Sequence, residues 1–138
     1  MRWPFWWQRN WLISEGSPKL WHAIAVGFET VEKWLTYDEV AELVGVSKGK
    51  IARLIEDKYL FSVRVEKEPK IPSEIVVNGE PLSSIRGTLI VLEDAGFDPE
   101  QSAEWLYEFQ EELDESPIQS LVRGRKSAVR RLAQSLAI

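Results

Sequence analysis

Hydrophobic positions recur at helical spacing on both sides of a short turn in the stretch 36–60. They are Val40, Val44, Val46, Ile51 and Leu54. Ala41 is small enough to let two helices cross closely, and Gly45 can adopt the left-handed backbone that ends a helix. This spacing predicts a helix-turn-helix whose second helix occupies 47–57.

Polar residues at the two helix starts agree with the hydrophobic pattern. Thr36 followed by Glu39 has the spacing of a capping box, and Ser47 stands where the second helix needs an N-cap. The caps place the helix starts independently of the apolar positions.

Apolar and charged residues alternate after the second helix. Val63 and Val65 flank Arg64, and a return strand begins at Ile71. Alternation with period two is typical of a half-buried strand, so the pattern predicts a two-stranded wing. Together the helices and the wing predict a winged helix-turn-helix over 36–77.

The chain before this module divides into two segments. Residues 1–16 form a Trp-rich tail, and residues 17–35 are predicted to form a helix that begins at Ser17-Pro18. Six of the seven tryptophans lie before residue 35. Three interpretations compete for the tail: an arm on the domain, a loose tail from a start assigned too far upstream, or a membrane-interface peptide. Its short length and Pro4 make a membrane role the least favoured.

Region 83–138 is predicted to be a helical C-terminal domain, which makes the fold mainly α with a small β wing. Its first helix should run over 84–94, with Ser83 as cap and Gly96 as stop. The expected inner face comprises Ile85, Leu89 and Leu92, with Ile90 nearby.

The next predicted helix starts at Asp98-Pro99 and has an apolar face that reaches Leu113. That face comprises Ser102, Leu106, Phe109 and Leu113, with Trp105 close by. The outer face is acidic, and we interpret it as a solvated surface rather than a catalytic or cation site. Its acids are Glu100, Glu104, Glu108, Glu111, Glu112, Asp114 and Glu115.

Two more helices complete the predicted C-terminal domain. A short one starts at Ser116-Pro117 and ends at Gly124, and a basic closing helix follows it. The closing helix is expected to point Val129, Leu132 and Leu136 inward and Arg125, Lys126, Arg130 and Arg131 outward.

Composition restricts the chemistry. There is no cysteine and a single histidine, His22, so a metal or haem site has few ligands and we expect no cofactor. The sequence has no phosphate-binding glycine loop and no nucleophile paired with a base, so no enzymatic activity is predicted. No run approaches the roughly 20 apolar residues that span a bilayer. These features favour a cytoplasmic protein and argue against membrane binding.

Charge is unevenly distributed along the chain, although the net charge is -5. Most of the acid lies in 73–115, whereas 47–55 contains Lys48, Lys50 and Arg53 without an acid. Charges much beyond a Debye length of about 10 Å are screened, so the local charge matters most to a nearby polyanion.

These basic residues predict binding to double-stranded DNA. The start of helix 47–57 would enter the major groove, where Ser47 and free backbone amides could meet a phosphate. Lys48, Lys50 and Arg53 would reach phosphates or guanine acceptors. The wing residues Arg64, Lys67 and Lys70 would add phosphate contacts. The competing interpretation is that these side chains only solvate the helix, but their combination with a wing favours a DNA-binding transcription regulator.

From Thr36 onward the chain resembles an actinobacterial family of small winged helix-turn-helix DNA-binding proteins, typified by a mycobacterial substrate of a membrane-anchored Ser/Thr protein kinase. The matching landmarks are TYDEVAELVGVSKGKIARLIEDKYL, Ile71-Pro72, GTLIVLEDAGF (87–97), Glu104-Trp105-Leu106 and SPIQSLVRGRKSAVRRLAQ (116–134). The resemblance implies a family-specific helical C-terminal domain and, in the typical member, kinase phosphorylation of the N-terminal tail. Here the Trp-rich segment replaces that tail, so no phosphosite is carried over. Thr30, in a predicted helix, and Thr36, a predicted cap, are poor candidates.

A second similarity concerns the C-terminal region. Ser116-Pro117-Ile118, Leu121, Gly124-Arg125 and Val129 are similar to the end of the toxin-binding domain of Xre/MbcA/ParS antitoxins. This similarity implies an alternative function, an antitoxin-like interaction module in which 83–138 binds a partner protein or a second copy of the chain.

Overall fold

The computed structural model describes residues 27–137. Its α-helices are α1 (Tyr37–Val44), α2 (Lys48–Glu56), α3 (Ile85–Asp94), α4 (Pro99–Tyr107), α5 (Pro117–Val122) and α6 (Lys126–Gln134). Its strands are β1 (Trp34–Leu35), β2 (Val63–Val65), β3 (Glu68–Pro72), β4 (Val76–Val77) and β5 (Glu80–Pro81). Single 3-10 turns occupy Ser73–Ile75 and Ser135–Ala137. The predicted mainly α fold with a small β wing is confirmed.

The wing has three strands rather than the predicted two. The antiparallel order is β1-β3-β2, and Leu35 of β1 lies opposite Ile71 of β3. A separate hairpin joins β4 and β5 through Asn78 and Gly79, both with positive φ. The wing is therefore attached to the chain that precedes α1, and not only to α2.

The helix predicted over 17–35 is wrong where the structure describes it. Residues 27–33 form turns and irregular backbone, and Trp34–Leu35 is a strand. Gly27 has φ of 101°, outside the helical region. The apolar residues of this segment pair with β3 or pack on the core. Their spacing resembles that of a helix face, so the sequence pattern does not separate the two structures. Residues 17–26, the tail 1–16 and His22 lie outside the described range.

The predicted caps of the helix-turn-helix are confirmed. In α1, the Thr36 hydroxyl accepts from the Glu39 N–H, and the Glu39 carboxylate accepts from the Thr36 N–H. Gly45 adopts φ of 81° and its N–H bonds to the Ala41 carbonyl at 2.8 Å. Ser47 caps α2 by accepting from the Lys50 N–H at 3.2 Å.

One hydrophobic core joins the winged helix-turn-helix to the C-terminal helices. It contains fully buried residues from both parts, including Ile51, Ile71, Ile75, Leu92, Leu106, Ile118 and Val129. Burial of each such side chain contributes roughly 1.5–3 kcal/mol. The two parts consequently support each other.

Helix α3 is close to its prediction, with Ile85, Leu89 and Leu92 buried. The cap is different, because the helix begins after Ser84 and neither flanking serine forms a side-chain cap. Ser84 is instead buried with its hydroxyl unpartnered.

Helix α4 begins after Asp98, as the Asp98-Pro99 pair predicted, but it ends at Tyr107 and not at Leu113. Asp98 also forms a capping box with Gln101, which was not predicted. Glu108 is extended, and a bridge between Gln110 and Glu115 closes a short loop. Phe109 is therefore 60% exposed, contrary to the predicted inward orientation. Leu113 is buried as predicted, but it reaches the core from this loop.

The last two helices follow the predicted order. Ser116 forms a capping box at the start of α5, and Gly124 has φ of 88° after its end. In α6 the buried residues are Val129 and Ala133, while Leu136 is 37% exposed, because the chain tightens into a 3-10 turn after Gln134.

Candidate nucleic-acid interface

Helix α2 presents one apolar and one basic side. Ile51 is fully buried, so the helix is anchored by its centre. Ser47, Lys48, Lys50 and Arg53 are all exposed and are not covered by the C-terminal helices. The structure thus brings the four predicted residues of this helix to the surface.

The three cations of α2 differ in their surroundings. Lys48 lies 3.8 Å from the Asp38 carboxylate, with both side chains well exposed. Exposed pairs of this kind contribute about 0–1 kcal/mol, so Lys48 can exchange its partner readily. Within residues 27–137, neither Lys50 nor Arg53 has an acid at ion-pair distance. These two are the best placed to meet an external anion.

The wing turn has an unusual backbone for its residues. Glu66 and Lys67 have φ of 53° and 71° and join Val65 to its partner Glu68. Two successive positive φ values correspond to a type I′ hairpin turn, which favours Asn-Gly. Arg64 donates to the Lys67 carbonyl at 2.9 Å and holds this turn.

The three predicted wing cations are consequently not equivalent. Lys67 is exposed at the tip, and Arg64 is exposed but already bonded to the turn backbone. Lys70 is only 23% exposed and lies 3.8 Å from the Glu68 carboxylate, so it projects less than predicted. With Glu66 also at the turn, the wing tip is of mixed charge.

The C-terminal domain holds the far end of α2. Arg86 of α3 donates from Nε to the carbonyl of Asp57, the C-cap residue, at 3.0 Å. Its guanidinium also lies 4.8 Å from the centre of the Tyr59 ring. A cation at this end complements the helix dipole.

An ion pair adds to this attachment. The Lys58 side chain is 24% exposed, and its ammonium lies 2.6 Å from the Glu93 carboxylate of α3. Sequence reasoning missed Arg86 and Glu93, because residues so distant in sequence show no periodic relation to α2. The C-terminal domain thus helps to fix the orientation of the basic helix.

A cluster of aromatic side chains fills the junction between the wing and α4. The Tyr107 ring lies 5.0 Å from Phe28 and 6.3 Å from Phe61, between ring centres. Phe28 also contacts Trp34 of β1 edge-on at 6.0 Å. These contacts attach α4 to the sheet that carries the wing.

The acidic surface predicted around α4 is only partly solvated. Burial, followed by the nearby Glu100, Asp98 and Glu108, raises the pKa of Glu104 to about 7. Burial also raises the pKa of Glu108. Repulsion among acids and partial burial together make ionised Glu104 unfavourable.

Glu115 departs further from the predicted solvated face, since it is 8% exposed. Its carboxylate accepts from the Ser120 hydroxyl and pairs with Arg123 at 3.3 Å and Arg125 at 3.0 Å. The Ser120 hydrogen bond, and then the two arginine charges, hold the pKa of Glu115 below its usual value. Arg125, predicted to point outward, is therefore an ion-pair partner.

The described residues offer no support for a metal centre or a membrane span. Within 27–137 no group of three His, Cys, Asp or Glu side chains could bind a metal ion. No helix in this part of the chain is both long and apolar enough to cross a bilayer.

The fold and the exposed basic helix define a winged helix-turn-helix protein with a helical C-terminal domain. Comparison with known families matches residues 28–76 to the model described as "DNA-binding protein Rv2175c, wHTH domain". Residues 82–137 match the "Rv2175c C-terminal domain of unknown function". The chain belongs to the Rv2175c family, which confirms the actinobacterial family resemblance.

The sequence and the solved structure of Rv2175c show the extent of the similarity. "DNA-binding protein Rv2175c" of Mycobacterium tuberculosis (strain ATCC 25618 / H37Rv) is 35% identical over 75 residues, 52% of this chain. The match spans about half, 51%, of that relative's length. The NMR structure of Rv2175c superposes with a TM-score of 0.71 at 26% identity and covers 79% of this chain and 84% of that one.

Proposed function

We propose that this protein is a transcription regulator that binds double-stranded DNA. The start of α2 lies in the major groove, where Lys50 and Arg53 reach phosphates or guanine acceptors, with Ser47 and Lys48 at a phosphate. Lys67 and Arg64 of the wing contact the flanking backbone, with a smaller contribution from Lys70. DNA binding is consistent with a cytoplasmic location.

The observation that carries this proposal is that Lys50 and Arg53 are exposed and have no acidic partner among residues 27–137, on a helix whose opposite side is buried through Ile51. Lys48 differs from these two in lying 3.8 Å from the Asp38 carboxylate, in an exposed pair that contributes little. The match to a DNA-binding winged helix-turn-helix domain supports the same function.

The charge distribution limits the expected affinity. The protein carries a net charge of -5, and Glu66 and Glu68 lie on the wing. Few phosphate contacts give weak binding, so we expect nonspecific dissociation constants of about 10⁻⁴ to 10⁻⁶ M at physiological salt. Binding to two half-sites as a dimer would strengthen it.

Fluorescence anisotropy with a labelled duplex, measured at several salt concentrations, tests this function. Lys50→Glu and Arg53→Glu should each weaken binding. Each should also reduce the slope of log affinity against log salt concentration by about one for each phosphate contact that is lost. Lys126→Glu is the matched control, because Lys126 is an exposed cation on α6, outside the proposed interface. Equal affinity of all three variants and the parent protein would refute the assignment.

A second candidate function rests on the C-terminal domain. Phe109, which follows α4, is 60% exposed, and Val122, the last residue of α5, is 50% exposed. Exposed apolar side chains suit a protein interface. Under this alternative, 83–138 binds a partner protein or a second copy, and Phe109→Ser would abolish that complex. Sedimentation analysis of the parent and variant tests self-association.

A further inference from the structure

A groove of about 250 Å³ lies between the end of α2 and helices α3 and α4. Its walls are mainly apolar and comprise Ile55, Leu60, Phe61, Leu89, Phe97 and Pro99. Pockets that bind small molecules begin at about 300 Å³, so this groove suits one or two bulky side chains better than a large ligand.

The rim of the groove is acidic on balance. Glu56 and Glu93 lie along it together with a single cation, Lys58. Lys58 is already paired with Glu93, and Glu56 has no ion-pair partner among residues 27–137. A bound segment should therefore combine large apolar groups with positive charge.

We propose that the groove binds the Trp-rich segment of the same chain, residues 1–16. This segment contains Trp3, Phe5, Trp6, Trp7 and Trp11. Among these rings lie Arg2 and Arg9, with Glu15 as the only acid of the segment. Indole rings bury large apolar area, and an arginine can pair with Glu56 at the rim. The segment thus matches both the walls and the charge of the groove.

The described part of the chain begins close to the groove. The described residues begin at Gly27, and the Phe28 ring contacts Tyr107, which contacts Phe61, a wall of the groove. The ten residues 17–26 can span roughly 33 Å when extended. A tethered segment that reaches its site has an effective concentration on the order of mM, so even weak contacts suffice.

Paramagnetic NMR tests the proposal on the full chain. Because the chain has no cysteine, Asn10→Cys provides a single attachment point for a nitroxide. With the label oxidised, we expect loss of methyl signal from Ile55, Leu60 and Leu89 relative to the reduced sample. Methyl signals of Val77 and Val122, which do not line the groove, should be retained. Retention of the groove signals would overturn the proposal.

A matched pair of rim variants separates specific docking from collapse onto the surface. Glu56→Lys should restore the groove signals, whereas Glu42→Lys, at an exposed acid of α1, should leave them broadened. Equal broadening in both variants would overturn the charge argument. A mixture of spin-labelled, isotope-free chains with unlabelled, isotope-enriched chains should show no broadening. Broadening in that mixture would show that a second copy fills the groove, contrary to the proposal.

Discussion

The Tyr107 hydroxyl donates a hydrogen bond to the Glu74 carboxylate, across the junction between α4 and the 3-10 turn that follows the wing. Tyr107 is 7% exposed and its ring also contacts Phe28 and Phe61. One side chain of the C-terminal domain therefore contacts the winged helix-turn-helix through both its ring and its hydroxyl.

Burial, opposed by the Tyr107 hydrogen bond and assisted by the charge of Glu32, raises the pKa of Glu74. Burial, followed by the interaction with Glu74, raises the pKa of Tyr107. At neutral pH the Tyr107 hydroxyl is therefore protonated and is the donor. Its hydrogen bond takes the place of water at the partly buried Glu74 carboxylate.

We predict that Tyr107→Phe lowers the free energy of unfolding by about 1–2 kcal/mol at neutral pH, because a partly buried carboxylate loses its donor. Without that hydrogen bond the pKa of Glu74 rises further, so the effect should shrink as Glu74 becomes protonated in acid. Urea unfolding at about pH 8 and about pH 4 measures both values. Tyr59→Phe, at a partly exposed tyrosine, is the control; an equal loss in the two variants would contradict the prediction.

Glu104→Gln should stabilise the protein at alkaline pH. The folded pKa of about 7 exceeds that of an unfolded glutamate, about 4.3. The folded state thus binds more protons between these values, and stability decreases as pH rises through that window. Because the side chain is only partly buried, we expect a gain of about 1 kcal/mol above pH 7 and none near pH 4. Thermal unfolding across this range tests it, with exposed Glu112→Gln as control; a gain independent of pH would disprove the electrostatic cause.

Thr88→Val should stabilise the protein independently of pH. Thr88 is fully buried, and its hydroxyl has no hydrogen-bond partner among the described residues. Replacement by a group of similar shape removes the cost of that unsatisfied hydroxyl, about 1 kcal/mol. Chemical unfolding of Thr88→Val and of Thr30→Val, at an exposed threonine, measures the difference. Destabilisation by Thr88→Val would mean that the hydroxyl is satisfied in solution.

Glu115→Gln should destabilise the protein at neutral pH and have little effect in strong acid. The lowered folded pKa means that ionised Glu115 stabilises the fold above about pH 4.3, and that this stability is lost as pH falls through the folded pKa. Gln keeps the size of the side chain but loses its charge interactions with Arg123 and Arg125. Thermal unfolding at neutral and acidic pH tests this, with exposed Glu111→Gln as control. A shift of equal size at both pH values would exclude the ion pairs as its origin.

Local structure was predictable wherever the signal lay within a few residues. Thr36, Gly45 and Ser47 each act through backbone groups no more than four residues away, so their caps and turn could be predicted from spacing alone. The inner faces of α2 and α3 could be predicted because a period of 3.6 brings their apolar residues together.

Elements that depend on distant partners were not predictable in this way. Trp34 and Leu35 form a strand only because β3 lies beside them. Earlier in the chain, Gly27 has a positive φ that no α-helix contains. The apolar spacing around Thr30 predicts a helix there, but Thr30 is exposed in a turn. The end of α4 at Tyr107 likewise depends on the bridge between Gln110 and Glu115.

The sequence by itself determined the helix-turn-helix, its caps and the basic character of α2, because these follow from short-range sterics, hydrogen bonding and residue charge. The tertiary structure decided which charged side chains face solvent. It pairs Glu115 with two arginines, buries part of Glu104, and leaves Lys50 and Arg53 exposed. Ion pairing and desolvation depend on three-dimensional neighbours, and periodicity along a chain does not specify them.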